Sequence, residues 1–388
     1  VRTMSSPLLI ASAVTSGFAV GFVPSLVDSM RGPLCQQLKG SEKGIDRTVM
    51  LFYVVWLPAM PLAGWLIDHW HNMEVLFLGL LACVLGIAWL GLAQSVGALV
   101  SSVLVLGAGY SAVATAGIRL MPAALGFTAH SSTIAALNVG FVCVIVGAVA
   151  APALVGWVVR QWGNRQGLLY LSLALVAAAV LVFLARGDIV EREHPVPWRE
   201  LVGNPRLWLI AAVILLYFAL ENCLEVWPEP YLKELGYVGR SSTAALLLFW
   251  GMFTLARLAA GWLPQTNFDI WLLLALVLSS SIILGNLVGA NEYSSGSLGF
   301  WATGACYGPL LPGFLALVWD LFPDSSQGLP GAALGMMLAL SGLDTLIVRP
   351  VMTRLASRRR ARTIMRVPTV LGLILAAPLF ALALIRHW

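Results

Sequence analysis

The chain has 388 residues, 59% of them hydrophobic and 11% charged, with a formal net charge of +5 and a mean hydropathy of +0.87. Soluble domains carry about 25% charged residues, so this chain lacks the charge to cover a water-facing surface, and its solvent is lipid. Its five cysteines show no CxxC or Cys/His spacing, which excludes a disulfide framework, and its loop arginines form no basic stripe for nucleic acid.

A helix crosses the hydrocarbon core with roughly 20 apolar residues, and runs of that length follow one another along the chain. Arg2 precedes an apolar stretch too long for a signal peptide and without a small-residue cleavage site, so it is read as the first span. The first six spans are predicted at 7–27, 47–67, 74–93, 97–121, 133–158 and 167–185. The second six are predicted at 207–228, 242–263, 269–289, 297–322, 330–350 and 367–386. Between them lies the most polar stretch, Arg186 to Arg206, with Pro195, Pro197 and Pro205, a linker with room for a short surface helix. The expected organisation is an N-terminal six-helix bundle over 1–190, a cytoplasmic linker over 191–206 and a C-terminal six-helix bundle over 207–388. Halves of this kind usually enclose a central site near the bilayer midplane. A repeat is echoed by Gly64-Trp65-Leu66 at the end of span two and Gly261-Trp262-Leu263 at the end of span eight.

Orientation carries a conflict. Linker arginines 186, 192, 199 and 206 place that segment in the cytoplasm by the positive-inside rule. The loop 354–366, with six arginines, then falls outside.

The segment Gly64-Trp65-Leu66-Ile67-Asp68-His69 resembles the signature loop between spans two and three of the major facilitator superfamily. The resemblance implies a cytoplasmic loop in which Gly64 and Asp68 latch neighbouring helices in one state of a transport cycle. His69, Asn72 and Met73 stand where that family usually has basic residues. Within the superfamily the chain is similar to the fucose-permease group of sugar:proton symporters. Span seven carries Tyr217, Glu221, Trp227, Pro230 and Tyr231-Leu232. Span eight has Arg257 before Gly261, span five Leu137-Asn138 and Ala151-Pro152, and span ten Tyr307-Gly308-Pro309 and Leu311-Pro312. Asp28, after span one, resembles an acidic position important for proton coupling in that group. The group's span-four glutamate is absent: Thr115 falls near it, and Arg119 replaces a usual asparagine.

Ionisable residues inside spans cost about 2.5–3.5 kcal/mol on insertion scales, so they mark function. Glu221 and Glu225 lie four apart on one helix face, and two carboxylates there cannot both ionise cheaply. The proton-coupling candidates are Glu221, Glu225 and Asp344 inside spans, together with Asp28, which the resemblance implies and which by spacing alone is equally an ordinary helix-end charge. A purely structural alternative puts Glu225 and Glu229 at the outer interface, with Trp227 anchoring the helix end. The substrate-binding candidates are Asn138, Tyr110, Tyr217, Asn222, Trp250, Tyr307 and Arg119; each aromatic is individually more often packing, and Arg119 more often snorkels to phosphates. Arg257 joins Gly64 and Asp68 as a latch candidate, read as the structural partner of a carboxylate.

The expected fold class is an all-α membrane protein with the major facilitator fold, twelve transmembrane helices in two six-helix bundles. The expected function is secondary active transport of a small polar organic solute, a sugar among the candidates, by alternating access with proton coupling. The rivals are a proton-coupled exporter of lipophilic compounds or organic anions, and a membrane receptor that kept the fold without transport. The partners are a small-molecule substrate, a proton and the lipid bilayer, with no nucleic acid, and the protein is expected as a monomer in a cell inner membrane. No nucleotide loop, zinc set or nucleophile triad occurs, so no cofactor, no metal and no enzymatic activity are expected.

Overall fold

The structure is a computed structural model. It describes residues 6–38, 42–125, 133–187, 196–234, 240–262, 269–289, 293–322, 329–348, 350–351, 354 and 365–386. The elements among them are all helical. In chain order they are α1 (Pro7–Ser29), α2 (Arg31–Leu38), α3 (Glu42–His69), α4 (Asn72–Leu92), α5 (Val96–Ala124), α6 (Thr133–Ala185), α7 (Trp198–Gly203) and α8 (Pro205–Val226). There follow α9 (Pro228–Glu234), α10 (Arg240–Trp262), α11 (Ile270–Gly289), α12 (Tyr293–Tyr307), α13 (Leu310–Asp320), α14 (Gly331–Leu343), a π-helical turn (Asp344–Val348) and α15 (Arg366–Arg386).

Local chemistry sets several of these ends. Ser6 caps α1 by accepting from the Leu9 N–H at 3.1 Å, and Ser95 caps α5 by accepting from Ala98 at 3.2 Å. Asn204 does the same for α8, where Pro205 opens the helix. Each cap satisfies an amide that the first turn leaves without an intrahelical acceptor. Inside α6, Gly163 adopts φ 75° and ψ 170°, a conformation that breaks the helix and favours a residue without Cβ. The expected spans 133–158 and 167–185 are therefore one helical run parted at a single glycine.

Ten helices among the described residues are long and apolar enough to cross a membrane, the interrupted α6 counted once, and a shorter apolar helix covers Leu246–Trp262. With the Gly163 break these correspond to the twelve expected spans. Leu85, Val149, Leu173, Leu247 and Ile282 are 63–69% exposed in mid-helix. Such outward apolar surface is the face a bilayer covers. The short surface helix allowed for in the linker is α7.

The chain divides into two compact units. The first comprises Val1–Ala129, Val139–Trp198 and Phe322–Gly342; the second comprises His130–Asn138, Arg199–Leu321 and Leu343–Trp388. In the first unit, small residues bring backbones together. A Cβ on Gly147 would run into the Phe18 carbonyl of α1, and one on Gly64 into the Gly331 carbonyl of α14. Without a hydrophobic driving force between helices in lipid, such close approach supplies the packing energy. In the second unit the core is aromatic, with Tyr217, Tyr231, Tyr307, Phe253 and Phe314 all buried.

Candidate functional site

The second unit holds a polar cluster inside apolar helices. Tyr217 and Glu221 sit one turn apart on α8, so they share a face, and the Tyr217 hydroxyl donates to Glu221 Oε1 at 3.3 Å. Arg257 on α10 is 3% exposed, and both Tyr217 and Glu221 lie within electrostatic reach of its guanidinium. Its Nε donates to the Gly308 carbonyl at 2.7 Å, and its guanidinium carbon lies 4.4 Å from the Phe253 ring centroid.

The Gly308 carbonyl is available for a reason visible in the chain. In a continuous helix it would accept from residue 312, but Pro312 has no N–H. Arg257 satisfies a backbone oxygen that the proline leaves over. The predicted span 297–322 is accordingly two helices, α12 and α13, joined at Gly308-Pro309.

A second polar pair lies in the same unit. Asn222 donates its side-chain amide to Asp344 Oδ2, and both residues are buried. Asp344 opens the π-helical turn that follows α14. Such turns recur at functional sites because they re-aim a side chain at some cost in helix regularity. Tyr307 packs 6.1 Å from Tyr217, ring centre to ring centre. Trp250 is half-buried and packs edge-on to Phe253 at 5.3 Å, beneath Arg257. Asn138 is fully buried; its amide donates to the Ile134 carbonyl at 2.9 Å and its Oδ1 finds no donor among the described residues. The side chains of Glu225 and Glu229 and the whole of the arginine-rich segment 355–364 lie outside the described residues.

The first unit carries the remaining candidates. Asp28 accepts from Arg31 through Nη2 at 2.7 Å and Nε at 3.1 Å on one oxygen, and from the Tyr53 hydroxyl at 2.8 Å on the other. Arg31 also reaches Asp46 at 3.2 Å. Partial burial pulls the Arg31 guanidinium down, but its hydrogen bonds to Asp28 and Asp46 and its electrostatic interactions with Asp28 and Tyr53 hold it above its ordinary value. Tyr110 stacks on Trp56 with centroids 4.6 Å apart and planes 26° from parallel. Sequence reasoning missed Tyr53 and Trp56. Their signal was the placing of Phe52, Tyr53 and Trp56 within one turn of α3.

Asp68 and Gly64 meet α14. Asp68 Oδ1 accepts from the Gly331 N–H at 2.5 Å and Oδ2 from Ala332 at 2.9 Å. A carboxylate there neutralises the positive end of the helix dipole. Arg119 donates to the Leu329 carbonyl at 2.9 Å and lies within electrostatic reach of Asp68. A cation from α5 therefore stands beside the aspartate. His69 is exposed, its ring 4.3 Å from that of Trp65, and it too lies within electrostatic reach of Asp68. Asn72 instead ties α4 to α5, donating to the Ala116 carbonyl at 3.1 Å. Of the three latch candidates, Gly64 and Asp68 sit together, whereas Arg257 belongs to the cluster of the second unit.

Twelve apolar spans, polar groups held inside them and an aspartate at the end of span two that caps α14 fit a multi-pass membrane transporter. The sequence profile of the Major Facilitator Superfamily matches residues 8–343, and the chain belongs to that superfamily. Among solved structures, the E. coli fucose:proton symporter is similar with a TM-score of 0.71 at 13% identity, over 95% of this chain and 98% of that one. The human organic anion transporter MFSD10 (TETRAN) gives 0.66 at 14% identity over 96% of each chain. The proton:xylose symporter XylE bound to 6-bromo-6-deoxy-D-glucose gives 0.66 at 14% identity, over 95% of this chain and 94% of that one. No curated protein matches the chain in sequence.

Proposed function

We infer that the protein is a secondary active transporter that moves a small polar organic solute, a sugar in the first instance, by alternating access coupled to protons. The observation that carries this reading is the set of buried Tyr217 and Arg257 with half-buried Glu221 on α8 and α10. Ionisable groups in a spanning helix are expensive to keep, and a carboxylate between a phenol and a guanidinium can exchange a proton or a hydroxyl ligand with little rearrangement. Asp344 with Asn222 is the second acidic candidate, and Asp28 is the third. The solute reading leans on the fold it shares with fucose and xylose symporters. The inner membrane, the monomeric state and the division into bundles over 1–190 and 207–388 with a linker over 191–206 belong to the same proposal.

The test is transport in proteoliposomes under an imposed proton gradient. Glu221→Gln is expected to abolish gradient-driven accumulation while equilibrium exchange of the same solute continues. Wild-type accumulation in that variant would remove Glu221 from coupling. An organic-anion exporter is the second reading, favoured by the similarity to a transporter of that class. It predicts accumulation of anions in preference to neutral sugars.

A further inference from the structure

Four helix ends of the second unit meet around a cavity of about 80 Å³. The beginnings of α8 and α11 supply Ile210 and Ile270, and the ends of α13 and α15 supply Leu317 and Leu382. All four side chains are buried, so the walls are aliphatic. Two charged residues also line it, Arg206 of α8 and Asp320 of α13; both are exposed, which puts them at its mouth. The depth of that mouth is marked by Trp208 and Trp271, 48% and 40% exposed on the first turns of α8 and α11. Exposed tryptophans of spanning helices gather where hydrocarbon meets headgroups. The Trp208 indole is held there by donating to the Val202 carbonyl of α7 at 2.8 Å.

Within the protein alone these two charges are badly placed. Arg206 is the second residue of α8, at the positive end of its dipole, and Asp320 is the last residue of α13, at the negative end of its own. Each stands at the helix end that favours the opposite sign. They do not relieve one another, since Arg206 makes no ion pair among the described residues. A ligand with an anionic group beside Arg206 and a cationic group beside Asp320 is favoured at both points, by the side chain and by the helix end.

We propose that this cavity binds a phospholipid with an ethanolamine headgroup, its phosphate on Arg206, its ammonium on Asp320 and the start of an acyl chain against the aliphatic walls. A guanidinium matches phosphate oxygens in pairs, and a carboxylate accepts N–H bonds at both oxygens. An anionic phospholipid without an amine satisfies Arg206 but meets like charge at Asp320. A choline headgroup has no N–H to donate to the carboxylate, and no aromatic ring lines the cavity to hold a quaternary ammonium. Free phosphate leaves the aliphatic walls without contact. The site is independent of which solute the protein carries.

The test is native mass spectrometry of the full chain released from detergent micelles, with palmitoyl-oleoyl phosphatidylethanolamine, phosphatidylcholine or phosphatidylglycerol added at matched concentrations. Wild type is expected to retain the ethanolamine lipid with a Kd about tenfold below that of the other two. Asp320→Asn should raise the ethanolamine Kd to the choline value, whereas Asp320→Glu keeps the preference. Arg206→Gln should weaken all three lipids together, because the phosphate is common to them. Thermal unfolding without added lipid reports that each variant is folded. A methylated series tests the same contact in the wild-type chain: mono- and dimethylethanolamine lipids should bind like the parent, with affinity falling at choline, where the last N–H is lost. Equal Kd values for ethanolamine and choline lipids in wild type overturn the proposal. Tightest binding of the glycerol lipid overturns it too, by making the site one for anions. A preference that persists in folded Asp320→Asn places the lipid elsewhere and is equally fatal.

Discussion

Replacing Asp68 with Asn tests the helix cap at the start of α14 with the smallest available change. The carboxylate now accepts from two backbone amides, at 2.5 and 2.9 Å. Asn keeps one acceptor oxygen, and its NH2 would face the other amide, donor against donor. The lost charge-assisted bond is worth about 1.5–3 kcal/mol. The lost attraction to the helix dipole adds about 0.5–1 kcal/mol. The docked arrangement of α14 should therefore weaken by about 2–4 kcal/mol, which at 1.4 kcal/mol per decade is about 30- to 700-fold. Hydrogen exchange read by mass spectrometry on peptides covering Gly331 and Ala332 measures that opening directly. Exchange there should accelerate by that factor in Asp68→Asn, while peptides from α4 keep their wild-type rates. A folded variant in which Gly331 and Ala332 exchange as in wild type would refute the cap as the element that holds α14.

Two further substitutions probe the polar groups of each unit. Arg257→Lys keeps the charge but gives up the planar contact with Phe253 and the fixed aim at Gly308, so the thermal midpoint should fall by the equivalent of about 1–2 kcal/mol. Arg257→Gln should cost about 3 kcal/mol by leaving the Glu221 surroundings without their cation. A Lys variant less stable than the Gln variant in thermal unfolding would contradict this ranking. Arg31→Gln should cost no more than about 1 kcal/mol, because the pair with Asp28 is one-third exposed and screened by solvent. The guanidinium is raised above its ordinary value, so its contribution is complete below that value and disappears only as pH rises through the folded one. The difference between Arg31→Gln and wild type, followed by thermal unfolding, should therefore be flat from about pH 6 to pH 9; a loss of that difference within this window would show that another group governs the contact.

The span count and the order of the helices follow from hydropathy along the chain, because a bilayer core imposes a length that every spanning helix must meet. The Asp68 motif and the polar residues of α8 were recognisable for the same reason: each is an expensive group in an apolar run. The partners of those groups were not recognisable. Arg119 meets Leu329 across 210 residues, Trp56 lies on Tyr110, and Arg257 finds the carbonyl that Pro312 leaves over. Which side chains meet depends on the rotation and depth of each helix against its neighbours. That is set by close backbone contacts such as Gly64 on Gly331 and leaves no periodic trace in a chain whose helices are apolar on nearly every face.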